Sequence, residues 1–451
     1  MARGKKKETL TPEERLQAAL VPESEQPYPV PENWCWTRME NIAQWGSGGT
    51  PSRKIPEYYN GDIPWIKTGE LNDDYIFETE EHITEEAISH SSAKLFPVNT
   101  VAIAMYGATI GKVGILGIAA TTNQACACGV SNSLANYKYL FYYARSQKDN
   151  FIKKGKGGAQ PNISQEIIKS HEFPLPPLSE QHRIVDCIES LFAKLDEAKQ
   201  KAQDALDSFE TRKAAILHKA FNGELTAQWR KEHGVGMESW ENVSVSEICH
   251  SLKYGTAKKS SSEGTVVVIR MGNLQDGEIS WDDLAYSNDE EDIEKYKLVP
   301  GDVLFNRTNS PALVGKTSIY RGEYPAIYAG YLIKLDYDRS RVIGDYLNYS
   351  LNTVSAKEYC NSVKTDGVNQ SNAKKIGAYI FAMPQIDEQA EIVRLLNDLL
   401  IKEQQAKEAA EGVMEQIDLI KKAILARAFR GELGTNDPGE ESVEEVLSSK
   451  S

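Results

Sequence analysis

The sequence from Pro177 reads PLSEQHRIV, and from Gln385 it reads QIDEQAEIV. Downstream, AILHKAFNGEL (Ala215–Leu225) returns as AILARAFRGEL (Ala423–Leu433) at the same offset, without a gap. A repeat this long indicates a duplicated unit of a globular domain followed by a helix, and not a solenoid of short repeats. Two related but non-identical halves suggest a partner that also has two such parts, and bipartite DNA is the leading candidate.

Bulk properties indicate a water-soluble globular protein. The chain has 451 residues, 41% of them hydrophobic, and we find no run of the ~18 apolar residues that a membrane span needs. The basic start Met1–Lys7 is not followed by the apolar region of a signal peptide. The cysteines are scattered, which favours reduced thiols and a cytoplasmic location. They are Cys35, Cys126, Cys128, Cys187, Cys249 and Cys360.

The formal net charge of −14 argues against a protein that simply coats DNA, because such proteins are usually basic. Residues 31–175 contain 13 Lys and Arg against 15 Asp and Glu, and residues 238–383 contain 16 against 20. Any DNA contact must therefore use local patches, or a basic partner must complete the groove.

The pattern predicts an α+β protein in six parts. Residues 1–30 form a tail with a short helix, residues 31–176 and 226–383 form two globular domains, and residues 434–451 form an acidic disordered tail. Long helices occupy 177–225 and 384–433. In the first domain, Ile63–Ile66, Thr100–Met105 and Val113–Ile118 are typical of strands, and Asn136–Arg145 is typical of a helix.

The two domains share landmarks but not the residues between them. Trp34 matches Trp240, Gly111-Lys112 matches Gly315-Lys316, and Tyr139-Leu140 matches Tyr346-Leu347. The shared landmarks predict one scaffold used twice.

Both long helices carry a heptad seam of apolar residues, interrupted by Arg212 and Glu403. We place Ser179 and Asp387 at the N-caps and Gly223 and Gly431 at the C′ positions. The apolar seam comprises Ile184, Ile188, Leu191, Leu195, Phe209, Ile216, Ile392, Leu396, Leu399, Val413, Ile417, Ile420 and Ile424.

Connectivity predicts how these helices pair. The first helix leaves domain one and runs into domain two, so the second must return, and the pair is an antiparallel coiled coil with pseudo-twofold symmetry. About 42 residues give a rod of roughly 60 Å with a domain at each end. The alternative is that each helix packs only on its own domain.

Motifs for catalysis are not convincing. Gly315-Lys316-Thr317 resembles the end of a P-loop, but Ser310 stands where that motif requires glycine, so a turn between strands is favoured. Cys126 and Cys128 have the wrong spacing for a zinc site and fit a buried strand. With no catalytic or metal-binding motif identified, the sequence favours a binding protein over an enzyme.

The candidate DNA contacts are loop residues that combine glycines, cations and amides. Glycines allow close approach to a phosphate, lysines neutralise it, and Gln or Asn can bond adenine edges; a solvated surface loop is the alternative. An arginine among the candidates could bond guanine or simply pair with an acidic neighbour. In the first domain the candidates are Thr50, Ser52, Arg53, Lys67, Tyr106, Lys153, Lys154, Lys156, Gln160 and Asn162. In the second they are Lys253, Tyr254, Arg270, Arg307, Asn309, Lys364, Asn369, Gln370 and Asn372.

The aromatic run Tyr137–Tyr143 offers two interpretations. It could stack on bases, but a helix that packs its aromatic face into the core is favoured.

The PLPPLSEQ…AFNGELT and MPQIDEQ…AFRGEL cassettes, each closing one of two divergent domains, resemble the specificity subunit of type I restriction–modification systems. The resemblance covers residues 31–433. It implies two target-recognition domains, each reading half of a split asymmetric DNA target, and two conserved helices that set the gap. It also implies docking of two methyltransferase subunits and, through them, two restriction subunits. S-adenosylmethionine, ATP and Mg²⁺ would belong to those partners, and the expected modification is adenine methylation.

Two other function classes remain open at this point. A structural adaptor could use the rod to bridge two protein partners, and an enzyme could carry an unrecognised site. Salt-dependent DNA affinity that requires the methyltransferase would count against the adaptor. Base modification by this chain alone would indicate the enzyme.

Overall fold

The computed structural model describes residues 12–155, 162–307, 314–362 and 373–445. The chain forms two compact units. Unit 1 comprises Met1–Lys201 and Val413–Ser451, and unit 2 comprises Ala202–Gly412. Unit 1 is therefore assembled from both ends of the chain, whereas unit 2 is one contiguous stretch.

Unit 1 is a mixed α/β unit. Its helices are α1 (Pro12–Ala19), α2 (Met39–Ile42), α3 (Glu85–Ser89), α4 (Tyr137–Ser146), α5 (Lys148–Lys154) and α6 (Gln165–Lys169). Its strands are β1 (Cys35–Arg38), β2 (Ala43–Ser47), β3 (Ile63–Ile66), β4 (Tyr75–Ile76), β5 (His82–Ile83), β6 (Leu95–Phe96), β7 (Val101–Ala104), β8 (Val113–Leu116), β9 (Ala120–Thr122), β10 (Cys126–Ser131) and β11 (Glu172–Leu175). The predicted strands at residues 63–66, 100–105 and 113–118 and the helix at 136–145 are present, with ends shifted by at most two residues.

Long helices follow each set of strands. They are α7 (Leu178–Asp207), α8 (Phe209–Phe221) and, after the strands of unit 2, α15 (Ile386–Ala428). The first predicted helix is interrupted at Ser208, whereas the second is continuous. Ser179 and Asp387 are each the second residue of their helix, so their predicted N-cap positions are wrong by two residues. Gly223 is the C′ residue of α8, as predicted, with φ of 82°. Gly431, with φ of 73°, lies one residue beyond the C′ position of α15, which ends at Ala428.

Unit 2 repeats the plan of unit 1. Its remaining helices are α9 (Ala227–His233), α10 (Val245–Ile248), α11 (Glu290–Tyr296), α12 (Gly344–Leu351), α13 (Val354–Ser362) and α14 (Ala373–Gly377). Its strands are β12 (Glu241–Ser244), β13 (Cys249–Tyr254), β14 (Val266–Ile269), β15 (Leu274–Gln275), β16 (Glu278–Ile279), β17 (Tyr286–Ser287), β18 (Val303–Asn306), β19 (Thr317–Ile319), β20 (Ala326–Tyr328), β21 (Leu332–Tyr337) and β22 (Ile380–Met383).

The two units share one sheet topology. The main sheet has the order β2-β10-β7-β8-β4 in unit 1, and β13-β21-β18-β19-β16-β15 in unit 2. In both, the last shared pair, β4 with β8 and β16 with β19, is parallel. A second sheet is built around the parallel pair β3 and β9 or β14 and β20, and β1 pairs with β11 as β12 does with β22. The duplication seen in the sequence is thus a duplication of topology.

Apolar strands and the aromatic helix α4 form the core of unit 1. The four residues of β7 are fully buried, and Cys126 and Cys128 of β10 point to one buried face, as predicted. The aromatic run is also core: Tyr139 and Tyr143 are fully buried, and their hydroxyls donate to backbone carbonyls of β11. These rings are therefore inaccessible to stacking bases. The Gly315-Lys316 stretch ends a connection between β18 and β19, as the turn interpretation predicted.

Within unit 1, contacts between α7 and the end of α15 run in opposite chain directions. The ammonium of Lys421 lies 5.0 Å from the ring centroid of Phe192 and pairs with Asp196, whereas Lys199 lies 3.9 Å from Asp418. Higher numbers on α7 therefore meet lower numbers on α15.

Within unit 2, α15 meets α8 in the same sense. Arg212 donates to Glu403 at 2.8 Å, and Lys407 lies 5.0 Å from the ring centroid of Phe209. The two polar residues that interrupt the predicted seam are thus each other's partners.

Most predicted seam residues are buried or half-buried, but two are not. Val413 and Ile420 are 38% and 43% exposed, whereas Met414 and Lys421 beside them are half-buried. The predicted phase of the seam is therefore wrong at these two positions. At Ile420 the reason is that Lys421 packs its aliphatic stem inward while its charged end meets Phe192 and Asp196.

The residues after α15 were predicted to be a disordered acidic tail, and for residues 434–445 this is wrong. Val443 is 4% exposed, and its N–H donates to the carbonyl of Asn33. Arg183 forms a two-pronged pair with Glu440 at 2.8 and 2.9 Å. We call residues 434–445 the closing segment of unit 1. The N-terminal segment is held as well, since Val21 is buried and its N–H donates to Trp36.

All six cysteines are free thiols. Among the helices of the described ranges, none is long and apolar enough to cross a membrane.

Candidate nucleic-acid interface

In unit 1, Arg53 makes cation–π contacts with two aromatic rings and pairs with an acidic residue. Its guanidinium lies 4.1 Å from the ring centroid of Tyr59 and 5.1 Å from that of Trp65, and it donates to Glu81 at 2.6 Å. Lys67 shares Glu81 at 3.0 Å. The hydrogen bond from Arg53 lowers the pKa of the Glu81 carboxyl. Lys67 also pairs with Glu80 at 2.9 Å, so the structure brings two predicted contacts together around two carboxylates that neutralise them.

The other exposed candidates of unit 1 lie near the ends of β2, β7 and β9. Tyr106, 42% exposed, follows β7 and forms a backbone bridge with Asn162. Thr50 is exposed and bonds Gln124, and Ser52 is exposed in the same loop. These side chains can present hydroxyl and amide groups to a groove.

Lys153 and Lys154 lie in the last turn of α5 and differ in their environment. Lys154 contacts Nδ1 of His171 at 3.1 Å and Glu172 at 3.4 Å. Burial, with the nearby Lys154 charge second, lowers the pKa of His171 to about 4. Its neutral ring therefore accepts from Lys154 and donates through Nε2 to Gln147. In the described ranges Lys153 has no ion pair, which makes it the freer cation.

In unit 2, Tyr254 and Arg307 come together. The guanidinium of Arg307 lies 4.9 Å from the ring centroid of Tyr254, and the Tyr254 hydroxyl accepts from the N–H of Ala373. Arg307 has no carboxylate partner in the part of the chain that the structure describes. By contrast, Lys253 pairs with Asp336 at 3.0 Å and Arg270 pairs with Asp283 at 2.9 Å. Arg307 is thus the cation of this set that is held by stacking alone.

Seven further candidates lie outside the described residues. They are Lys156, Gln160, Asn309, Lys364, Asn369, Gln370 and Asn372.

The sequence reasoning allowed an arginine to pair with an acidic neighbour, but it did not identify which residues the acidic partners are. Glu81 and Asp336 lie 28 and 83 residues from the cations they pair with, so no local pattern connects them. The run Glu78-Thr79-Glu80-Glu81 was a signal, because clustered acids near candidate DNA contacts imply neutralisation in the free protein. Phosphate or base acceptors would have to displace these carboxylates.

The repeated Glu-Gln pair anchors each unit to its long helix. Glu180 accepts from the Trp34 indole at 2.7 Å, and Gln181 accepts from the N–H of Asn136. In unit 2, Glu388 accepts from Trp240 at 3.0 Å, and Gln389 accepts from the N–H of Ile343. All four anchoring side chains are at most 1% exposed, so the anchors orient each unit on its helix through buried bonds.

Further hydrogen bonds to the two anchoring glutamates come from residues that follow the repeated Gly-Glu-Leu. Thr226 and Arg230 both donate to Glu388 at 2.6 Å. In unit 1, Asn436 donates to Glu180 at 2.9 Å and Thr435 donates to it at 3.3 Å. The repeated sequence cassette therefore forms the same arrangement in both units: a buried glutamate bonded by residues that follow Gly-Glu-Leu. We call this arrangement the clasp.

The family model for the type I restriction–modification DNA specificity domain matches residues 31–206 and again 237–411. The chain belongs to this family of specificity subunits. It functions in DNA sequence recognition within type I restriction–modification. Each match covers one of the duplicated domains together with part of the long helix that follows it.

Relatives and solved structures agree with this membership. The specificity subunit of the type I restriction enzyme StySPI from Salmonella potsdam is 24% identical over 423 residues, with 90% of each chain covered. The HsdS subunit from Thermoanaerobacter tengcongensis has a TM-score of 0.63 at 20% identity, covering 91% of this specificity subunit and 100% of that chain. A chain from a study of complex assembly and conformational transition of the type I R-M system has a TM-score of 0.69 at 20% identity, covering 90% and 100%. The last two likenesses concern the fold.

Proposed function

We propose that this specificity subunit reads a bipartite, asymmetric DNA target, with each unit reading one half-site. The observation that carries the proposal is that units 1 and 2 share one sheet topology but differ in the side chains at their candidate contacts. Arg53 and Lys67 around Glu81 in unit 1 have a different chemistry from Arg307 on Tyr254 in unit 2. Unlike side chains on like scaffolds predict unlike half-sites.

The long helices set the unread gap between the half-sites. In this proposal α7, α8 and α15 form one antiparallel coiled coil with pseudo-twofold symmetry. The oppositely directed contacts within each unit, such as Lys199 with Asp418 and Arg212 with Glu403, support it. An α-helix of 43 residues is about 65 Å long, and a rigid spacer of that kind fixes a spacing in DNA.

The chain contributes recognition, and its partners contribute chemistry. Two methyltransferase subunits dock on it, and two restriction subunits join through them. S-adenosylmethionine, ATP and Mg²⁺ belong to those partners, and adenine is the modified base. The acidic balance of the chain supports a shared DNA groove, because a specificity subunit with net charge −14 needs help to hold the duplex.

Long-read sequencing of host DNA, with and without this gene, tests the proposal. We expect a bipartite motif with modified adenines that disappears on deletion and returns with the gene on a plasmid. Unchanged modification, with the methyltransferase shown to be expressed, would contradict the recognition role and favour an adaptor that bridges proteins.

A loop variant tests where DNA is held. We expect Lys153, Lys154 and Lys156 together changed to alanine to weaken target binding and flatten its salt dependence, because each lost phosphate contact reduces the salt slope by about 1. The assembly with the methyltransferase should stay intact in gel filtration. The matched control is Lys169→Ala, whose ammonium pairs within its own helix with Glu166. Equal affinity of the triple variant and the control would refute the loop assignment.

A further inference from the structure

Each unit contains a cavity at matching positions of the duplicated chain. In unit 1 a cavity of about 510 Å³ lies between the α4–α5 turn and the end of α15. In unit 2 a cavity of about 520 Å³ lies between the α12–α13 turn and the end of α8. Ser146 and Phe429 line the first, and their repeat equivalents Thr353 and Phe221 line the second. The duplication has therefore kept the cavity and its volume.

The charge of the two cavities has diverged. Five cationic and three acidic side chains line the cavity of unit 1: Arg145, Lys148, Lys421, Lys422, Arg430, Asp73, Asp149 and Asp418. Among the described residues that line the cavity of unit 2, no Asp, Glu, Lys or Arg occurs. Ala214, Ser355 and Asn222 line it at the positions that match Lys422, Lys148 and Arg430.

Three cations of the unit 1 cavity are available to a ligand. Over the ranges that the structure describes, Lys148, Lys422 and Arg430 form no ion pair, although the chain carries a net charge of −14. Arg430 is held 5.0 Å from the ring centroid of Tyr28. Because unit 2 builds the same cavity from neutral residues, the fold does not require these charges.

The aromatic side chains that line both cavities favour a protein ligand over DNA. Phe192 and Phe429 line the cavity of unit 1, and Phe221, Tyr379 and Phe381 line that of unit 2. Volumes near 500 Å³ suit buried apolar groups held with a few polar contacts. An aromatic lining does not neutralise a phosphate backbone, and the lining of the second cavity includes no described Lys or Arg that could do so.

We propose that these cavities dock the same segment of two copies of the methyltransferase subunit. That segment places an apolar side chain in each cavity, and its neighbouring acidic residue pairs with Lys148, Lys422 and Arg430 in unit 1 only. This rests on the proposed function, in which two methyltransferase copies bind. The two copies are then held with unequal affinity, and only the copy on unit 1 is released by salt.

The test is a titration of the full chain with its own methyltransferase subunit, followed by calorimetry and analytical ultracentrifugation at low and high NaCl. Wild type should bind two copies, one of them salt-sensitive. Lys148→Ser with Lys422→Ala and Arg430→Asn gives unit 1 the residues of unit 2. It should weaken the salt-sensitive step about 10- to 100-fold at low salt, as expected for up to three exposed ion pairs, and leave the other step unchanged.

Reciprocal and filling variants complete the test. Ala214→Lys with Asn222→Arg and Ser355→Lys should make the second step salt-sensitive. Val354→Trp, at a position 52% exposed in unit 2, should weaken only the second step, at every salt concentration.

The possible outcomes distinguish failure of the cavity assignment from failure of the proposed function on which it rests. A wild-type chain that binds no methyltransferase overturns both. Two unchanged steps in the triple variant overturn the cavity assignment alone. The assignment is also overturned if the triple variant loses stability or DNA affinity while its methyltransferase titration stays as in wild type, since the cations would then serve the helix end or the DNA.

Discussion

Glu180 in unit 1 and Glu388 in unit 2 occupy matching positions of the repeat, and each accepts a hydrogen bond from a tryptophan indole. Their other partners differ. Glu388 meets the guanidinium of Arg230, which is 7% exposed, whereas Glu180 meets the neutral side chains of Asn436 and Thr435. In unit 1 the charge pair has moved outward, to Arg183 and Glu440. The duplicated units have kept the bond between tryptophan and glutamate, but the side chains that complete the clasp differ: one includes a cation and the other is neutral.

The largest expected effect comes from Arg230→Leu in unit 2. It leaves the buried Glu388 carboxylate without its cation, and breaking a buried pair in this way costs about 3–5 kcal/mol. Urea unfolding with hydrogen exchange on unit 2 strands would measure it. Adding Glu388→Gln should restore much of the loss, and a loss below about 1 kcal/mol would show that the closure does not depend on charge.

Removal of the closing segment of unit 1, by a stop after Leu433, should have the next largest effect. Unit 1 loses its bonds to Glu180, Arg183 and Asn33 together with the burial of Val443. At about 1 kcal/mol per net hydrogen bond, the expected loss is about 2–4 kcal/mol. A stop after Glu445 is the control. Equal hydrogen-exchange protection of unit 1 in both truncations would disprove the clasp.

Acid should destabilise unit 1 through His171, whose repeat equivalent in unit 2 is Tyr379. The pKa of His171 is lowered to about 4 by burial, from about 6.5 in the unfolded chain. Between these two pKa values the unfolded state binds more protons than the folded state. The contribution of His171 to the free energy of unfolding is therefore fully present above about pH 6.5 and falls towards pH 4, by at most about 3 kcal/mol. Thermal unfolding against pH should show this fall in wild type and a shallower one in His171→Gln. Parallel curves would exclude His171 as the cause.

The smallest effect on stability is expected for Arg53 and Arg307, two cations of the candidate interface. Arg53→Gln removes an ion pair whose arginine side chain is 54% exposed, so the free energy of unfolding should fall by less than about 1 kcal/mol. Arg307→Gln, which removes no ion pair with a described residue, should change the melting temperature still less. Both variants should weaken DNA binding. A variant that melts much earlier without a change in DNA affinity would assign that arginine to stability.

The sequence predicted the features that local patterns record. The cassette gave the duplication, and the glycines at 223 and 431 adopt the left-handed conformation that ends a helix. The aromatic run of α4 is core because its period matches a helix packed on a sheet.

Features that depend on distant partners were not predictable from local patterns. Residues 434–445 have an acidic, polar composition, yet Asn436 and Glu440 bond residues more than 250 positions away. The seam phase at Ile420 failed because the neighbouring Lys421 can bury its stem, which no hydrophobicity pattern records. For the candidate DNA contacts, residue types could be predicted from the sequence, but the carboxylates that neutralise them could not.

The closing segment also affects the order in which the protein can be made. Unit 2 is a contiguous stretch, so its clasp from Thr226 and Arg230 to Glu388 can close while the ribosome is still adding the chain's last residues. Unit 1 emerges first, but it needs Leu425, Phe429 and Asn436 to complete its core and its clasp. Domains usually fold from the N-terminus during synthesis. In this chain the first unit to leave the ribosome is the last to be completed, so a prematurely terminated product carries an unfinished unit 1.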